Sequence, residues 1–373
     1  MGRANILGIN GIRLSANRSG VARCIEAMLR CLGELEHPFT KIRVYTPKPL
    51  SSDIYLPPIA ENVVLDSKLP LAVWEQATLL RAHGSKDLLL CPSYVSPLAA
   101  RCPTFLIHHG SYEGYPQAFD WWTLNKARTI YNLSARRATG LSTVSEYSKR
   151  DMIKFYGIAA DKINVVPEGV DTNIFRPIDD PAALSRWRTK ILGEDVPFIA
   201  YIGKPTERRN LSALIRAFGE LKKDGHPHKL LICGAALPGT SPFRRVIGEL
   251  GLQRDVFVLD YVTHDEMPLV YNAASLFVYP SSYEGFGMPV LESMACGTPT
   301  IALDNTAFPE FAGGVAHLLK DAKVETLKDG MAAVLNDEAW QKQMFDDGPK
   351  RAAAYDWRLL TRRYLDLMIP LAP

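Results

Sequence analysis

Short, almost wholly apolar runs alternate with longer segments of helical periodicity along this chain, and the alternation runs through twice. Strands buried on both faces read this way because helices cover both sides of a parallel sheet, and parallel neighbours need a crossover between them. The first series predicts strands at Asn5–Ile9, Ile42–Tyr45, Asn62–Leu65, Leu88–Cys91, Thr104–His108, Gly140–Val144 and Ile163–Val166. Helices are predicted over Gly20–Leu35, Trp74–His83, Trp122–Ala138 and Glu146–Tyr156. A second series starts at Phe198–Ile202 and continues through Lys229–Cys233, Val256–Asp260, Leu276–Tyr279, Thr300–Leu303 and Val315–Leu318. The fold class is therefore α/β, two Rossmann-like doubly wound domains. Ligands of open parallel sheets bind beyond the carboxyl ends of the strands, so the domains are expected to face a central cleft lined by strand-end loops.

At 373 residues the chain exceeds one ordinary core. The stretch from Val166 to Pro181, rich in Pro, Gly and Asp, reads as the linker, which places domain boundaries at 1–177, 178–355 and a terminal segment 356–373. Formal charge is only +3, and the first 180 residues hold 21 basic against 17 acidic side chains. That asymmetry does not argue for nucleic acid. It does permit a basic N-terminal face against anionic lipid, with Arg136, Arg137, Lys149, Arg150 and Lys154 as contacts. The six cysteines lie scattered in apolar context without metal-ligand spacing, as free thiols in a reducing cytoplasm would. No apolar run is long enough to span a bilayer, and the start of the chain enters a strand instead of a secretory leader. The expected location is cytoplasmic, with peripheral contact at the inner membrane face.

Between Tyr283 and Gly297 two carboxylates, Glu284 and Glu292, stand eight positions apart across a glycine-rich bend and a helix start. Pro289 suits the first helical position and Gly297 the left-handed stop. Gly285 and Gly287 let a ligand approach the backbone, and the N–H groups of a helix start attract a diphosphate. Glu292, about one turn into the helix, is placed for a ribose diol, and Glu284, before the bend, for hexose hydroxyls. Anionic carboxylates suit neutral polyols. A second cluster, Gly203-Lys204-Pro205-Thr206-Glu207-Arg208-Arg209, follows strand Phe198–Ile202 and brings three cations to one strand-end loop. Cations fixed there stabilise the charge that develops on a departing nucleoside diphosphate.

Glu284 through Glu292, with Pro-Ser-Ser-Tyr before it and Ala-Cys-Gly-Thr-Pro after it, resembles the E-x7-E signature of family 4 retaining glycosyltransferases. The resemblance covers nearly the whole chain and implies the GT-B architecture. The first domain would bind the acceptor, the second the nucleotide sugar, and the terminal segment would cross back onto the first domain. It implies donor contacts from Gly285, Phe286, Gly287, Met288, Pro289 and Glu292, from Tyr261 and Val262 after a further strand, and from Gly20 in the loop Ser19-Gly20-Val21. In the family the cation loop runs Gly-Arg, four residues, Lys. Here Lys204 takes the Arg place and Arg209 the Lys place, which leaves the register of Arg208 against Arg209 open. His108 matches a family histidine, whose near-neutral pKa would allow proton handling. His109 stands where the family has Asp, and Glu168 where it has Asn. Pro309-Glu310 matches as a nucleotide-orienting or helix-capping pair.

The resemblance implies retention of configuration. No pair of carboxylates suited to double displacement is evident, so front-face substitution is expected, supported by His108, Glu284, Lys204 and Arg209. No cofactor and no metal are expected, since no D-x-D pair is present; the donor is a nucleotide-diphosphate sugar. The favoured reading is a hexosyl donor, GDP-mannose foremost, and a lipid-linked or polysaccharide acceptor. A nucleotide-sugar epimerase or phosphorylase on the same fold, and a non-catalytic sugar-nucleotide-binding protein, stay open as alternatives.

Overall fold

The computed structural model describes residues 5–15, 20–82, 84, 87–118, 120–234 and 241–373. The chain divides into two compact units, Met1–Gly169 with Trp357–Pro373, and Val170–Asp356. Among the described residues the first unit holds seven strands: β1 (Ile6–Asn10), β2 (Lys41–Thr46), β3 (Ala60–Val64), β4 (Leu88–Cys91), β5 (Thr104–His108), β6 (Gly140–Thr143) and β7 (Asn164–Val165). They pair in parallel in the order β3-β2-β1-β4-β5-β6-β7. β4 and β5 are buried at every residue, which is why they read as unbroken apolar runs.

The second unit repeats the plan with β8 (Phe198–Ile202), β9 (Lys229–Cys233), β10 (Val256–Leu259), β11 (Leu276–Tyr279), β12 (Thr300–Leu303) and β13 (His317–Leu319). Its parallel order is β10-β9-β8-β11-β12-β13. The chain direction across the sheet reverses between β8 and β11, so the loops leaving these two strands diverge at a topological switch point.

Two departures from the sequence reading have local causes. Trp74–His83 is not a regular helix but a short helix Leu71–Val73, a π turn Trp74–Thr78 and a 3-10 turn Leu79–Arg81, with His83 outside the described residues. Three consecutive side chains are tied inward: Trp74 Nε1 donates to the Leu65 carbonyl at 2.8 Å, Glu75 accepts from Asn10 Nδ2 at 2.9 Å, and Gln76 Nε2 donates to the Ser96 carbonyl at 3.0 Å. An α-helix would spread such neighbours over too wide an arc, and the wider π turn brings them toward one side.

The linker boundary also moves, from 177/178 to Gly169/Val170, because residues 170–178 bond into the second unit. Val170 bridges Asp356 and donates to the Tyr355 carbonyl at 2.9 Å, and Ile178 N–H donates to Asn272 Oδ1 at 2.7 Å. The helix Trp357–Met368 is part of the first unit, where Tyr364 donates to the Val166 carbonyl at 3.2 Å and meets the Phe105 ring edge-on at 6.2 Å.

Ser145 caps the helix Glu146–Tyr156 by accepting from Ser148 N–H at 3.0 Å. The helix Met288–Ala295 begins from Gly287 at φ +108°, with Pro289 one position further in than expected. A Cβ at Gly287 would lie 2.5 Å from Phe308 Cε1, within a buried aromatic cluster that also holds Phe286 and Phe311. Gly287→Ala is therefore expected to lower stability by about 1–3 kcal/mol through positive φ and overpacking together, read from urea unfolding at neutral pH.

Candidate functional site

The loops leaving β8 and β11 are sewn together by side chains from both. Asn210, in the left-handed conformation at φ +50°, donates through Nδ2 to the Pro280 carbonyl at 2.8 Å and to Ser282 Oγ at 2.7 Å. Ser282 N–H in turn donates to the Arg208 carbonyl at 2.7 Å. This stitching sets Arg208 and Arg209 opposite Glu284. Four donors converge on one carboxylate oxygen, Glu284 Oε1: Arg208 Nη1 at 2.5 Å, Arg209 Nε at 3.0 Å, Tyr279 Oη at 2.9 Å and Ser281 Oγ at 3.0 Å. Oε2 receives no protein donor among the described residues. Arg209 also donates from Nη1 to the Lys204 carbonyl at 3.2 Å and lies over the Tyr279 ring, 5.5 Å from its centroid. Its guanidinium fits because residue 203 is glycine, where a Cβ would approach Nη1 to 2.9 Å.

The side chains of Glu284, Arg208 and Arg209 are 11%, 18% and 16% exposed. Burial alone would raise the Glu284 pKa, but Arg209 and then Arg208 outweigh it and pull the carboxyl down to about 2. Glu284 is thus an anion throughout the neutral range. Burial opposes the charge on Arg209, yet the oxygens of Tyr279, Glu284 and Tyr201 shift it upward on balance. Tyr279 itself is pushed up by burial and stays a phenol that donates. Arg208 and Arg209 both reach the same oxygen of Glu284. Lys204 is exposed, its ammonium in no ion pair among the described residues.

The rest of the donor set divides by burial. Glu292 is 3% exposed and accepts from Tyr271 Oη at 2.9 Å through Oε2. Phe286 faces inward, stacked on Phe311 at 4.5 Å, and Met288 is also buried. Their side chains pack the unit, so a donor contact at these two positions would be made by the backbone. Gly285 and Pro289 are half-buried, Val262 likewise, while Tyr261 beyond β10 is 66% exposed. Glu310 is exposed in the first turn of the helix Phe308–Ala312. Among the described residues no group of three or more His, Cys, Asp or Glu could hold a metal ion. The six cysteines are buried and in no disulfide.

In the first unit Gly20 is exposed at the first position of the helix Gly20–Glu34, and Ser19 lies outside the described residues. His108 ends β5 fully buried, with the rings of Tyr94, Tyr156 and Tyr131 edge-on at 5.0, 5.4 and 6.5 Å. Neither ring nitrogen has a hydrogen-bond partner among the described residues. Burial, and then the neighbouring His109, hold its pKa down at about 3. The expectation of a near-neutral proton carrier is therefore corrected: His108 is a neutral imidazole at neutral pH. The two departures from the family pattern meet each other, as His109 Nδ1 pairs with Glu168 Oε1 at 2.8 Å while Nε2 contacts the Pro92 carbonyl at 2.8 Å.

Sequence reasoning missed Tyr279, Ser281, Asn210 and Tyr271. Tyr279 and Ser281 could have been found from their position, since Tyr279 closes the apolar run of β11 and Ser281 follows it by two residues in the strand-end loop before Glu284.

Residues 18–174 match the family model Glycosyltransferase Family 4, and residues 186–351 match Glycosyl transferases group 1. The chain is similar to O-antigen chain mannosyltransferase B of Escherichia coli, 26% identical over 227 residues, or 60% of this chain and 58% of that protein. It is also similar to an MMP alpha-(1->4)-mannosyltransferase of Mycolicibacterium hassiacum, 28% identical over 251 residues, or 64% of this chain and 57% of that one. The matches thus span less than two thirds of these relatives' length. The fold is like that of sucrose-phosphate synthase from Thermosynechococcus elongatus, with a TM-score of 0.80 and 18% identity over 99% of each chain. Two successive models covering both doubly wound units, and a shared architecture over the whole length, place one conclusion beside the Glu284 cluster: the chain belongs to the family 4 glycosyltransferases of the GT-B fold.

Proposed function

We propose that this protein transfers a hexosyl group, mannosyl foremost, from a nucleotide-diphosphate sugar to a lipid-linked or polysaccharide acceptor with retention of configuration. The observation that carries the reading is the convergence of Arg208 and Arg209 on Glu284 at the β8–β11 switch point, beside a glycine-flanked helix start. The guanidiniums and Lys204 neutralise the diphosphate as the glycosidic bond breaks, without a divalent ion. Glu284, held ionised and with Oε2 left over, accepts from a hydroxyl of the donor hexose. Glu292, which keeps Tyr271 on Oε2, is the carboxylate for the ribose diol. The departing phosphate takes the acceptor proton on the same face, a role that neutral His108 does not fill. The mannosyl preference rests on the two similar mannosyltransferases.

The test is a panel of nucleotide sugars scored by protection against thermal unfolding. A true donor at about a hundred times its dissociation constant stabilises by roughly 2.7 kcal/mol. GDP-mannose is expected to protect most, and Glu292→Gln, which keeps the Tyr271 bond, is expected to lose that protection. Chelator should leave turnover unchanged. If no nucleotide sugar protects the protein, the reading fails; protection by another sugar nucleotide would replace mannose alone.

A further inference from the structure

The first sheet changes direction between β1 and β4, so the loops leaving these strands part at its own topological switch point, where open parallel sheets receive ligands. Two side chains of opposite charge are delivered there. Arg13 comes from the turn after β1, and its Nε donates to Ser93 Oγ, in the loop after β4, at 2.7 Å. Neither Nη atom has a partner among the described residues, and Arg13 is half-buried, so one edge of an anchored guanidinium is left over. Beside Ser93, Tyr94 holds φ +62°, a conformation that a bulky side chain adopts only against strain. Such strain gathers at binding sites.

Glu75 reaches the same place by a different route. The π turn Trp74–Thr78 has three inward anchors, and two of them close on backbone groups: Trp74 at the Leu65 carbonyl, Gln76 at the Ser96 carbonyl and the Leu98 N–H. Glu75 differs. Only 5% exposed, it accepts from the neutral Asn10 amide on Oε1 at 2.9 Å, and it forms no ion pair among the described residues. Asn10 ties it to the Arg13 turn, since Asn10 Oδ1 accepts from Ile12 N–H at 3.2 Å. Burial raises the Glu75 pKa, and Asn10, Lys126 and Arg13 offset that rise only in part. A carboxyl kept from water without a close counter-charge costs stability, and Gln would serve Asn10 as well. The acid answers a need outside the fold.

We propose that Glu75 and Arg13 read the terminal sugar of the acceptor as a neutral polyol, the carboxylate accepting from one hydroxyl and the guanidinium donating to a neighbouring one. A hydroxyl both donates and accepts, so an acid beside a guanidinium matches a pair of them. A phosphate would suit Arg13 alone but would here meet Glu75. Lys126, whose charge also acts on Glu75, lies over the Tyr131 ring, 5.6 Å from its centroid. The inference rests on the transferase reading and narrows its acceptor to a chain that ends in an uncharged sugar.

Saturation-transfer NMR on the full chain tests it, with methyl α-mannopyranoside, methyl α-glucopyranoside, methyl β-galactopyranoside and mannose 6-phosphate as probes. At least one neutral glycoside is expected to bind, and more tightly than the sugar phosphate. Glu75→Gln should lose at least about tenfold in that affinity at an unchanged melting temperature, because Gln keeps the Asn10 bond and removes only the charged acceptor. Arg13→Lys should lose about fivefold, since an ammonium cannot hold Ser93 and present a second edge at once. Thermal protection by the nucleotide-sugar panel should be the same in both variants as in the unaltered protein. Binding of no neutral glycoside, equal affinity in Glu75→Gln, or tighter binding of mannose 6-phosphate overturns the proposal. So does a lost signal that comes with a lower melting temperature in Glu75→Gln, which assigns the carboxyl to the fold. Absence of protection by any nucleotide sugar in every form would sink the transferase reading, while glycoside binding at Glu75 would still be decided by its own result.

Discussion

Glu284→Ala is expected to lower turnover by at least about a hundredfold while leaving donor binding within a few fold, and to cost about 3 kcal/mol of folding stability. Both effects follow from one oxygen. Glu284 Oε1 gathers Arg208, Arg209, Tyr279 and Ser281, so its removal leaves two largely buried guanidiniums facing each other without a counter-charge. The donor diphosphate can replace that charge, which is why binding survives. The hexose hydroxyl loses its acceptor, which is why chemistry does not. Glu284→Gln keeps the shape and removes the charge, and its pH dependence gives an independent check. The carboxyl sits at about 2 in the folded chain, below its ordinary value of 4.5. A depressed folded pKa gives stability that is fully present above the unfolded value and lost as pH falls through the folded one. The unaltered protein should therefore exceed Glu284→Gln in urea unfolding at pH 7, with the gap closing between about pH 4.5 and pH 2. A gap that stays constant across that window would mean the carboxylate carries no such charge-dependent stabilisation.

Much of this arrangement could be read from the chain because its backbone is constrained locally. Leu88–Cys91, Thr104–His108 and Phe198–Ile202 were legible to the residue, as burial on both faces leaves few polar positions inside them. The Glu284–Glu292 helix start was legible because glycine at φ +108° and proline in the first turn leave few alternatives. What could not be read depends on partners far apart in sequence. His108 reads as a strand-end histidine of near-neutral pKa, and only folding brings Tyr94, Tyr131 and Tyr156 from three separate segments around it. Phe286 belongs to the motif by position but to the core by contact, since Phe311 lies 25 residues on and stacks against it. The π turn at Trp74–Thr78 has helical composition, and its distortion comes from bonds to Asn10, Leu65 and Ser96.

Arg209→Lys is the sharper test of the cation loop, because it preserves the charge and removes the geometry. Arg209 does three things at once: Nε bonds Glu284, Nη1 bonds the Lys204 carbonyl, and the planar guanidinium lies along the Tyr279 ring. An ammonium can take up one of the two bonds and cannot present a flat face. The lysine variant is therefore expected to lose about ten- to a hundredfold in kcat, and Arg209→Ala about a hundred- to a thousandfold, with KM for the donor changing less than kcat in both. The double variant K204R/R209K restores the order of charges that the family pattern carries. It should not recover the loss, since position 204 is exposed and in no ion pair among the described residues, whereas position 209 is wedged between Gly203, Tyr279 and Glu284. Recovery of kcat by that exchange would show that the site reads total charge near the diphosphate, and a specific role for the guanidinium fork of Arg209 would fall with it.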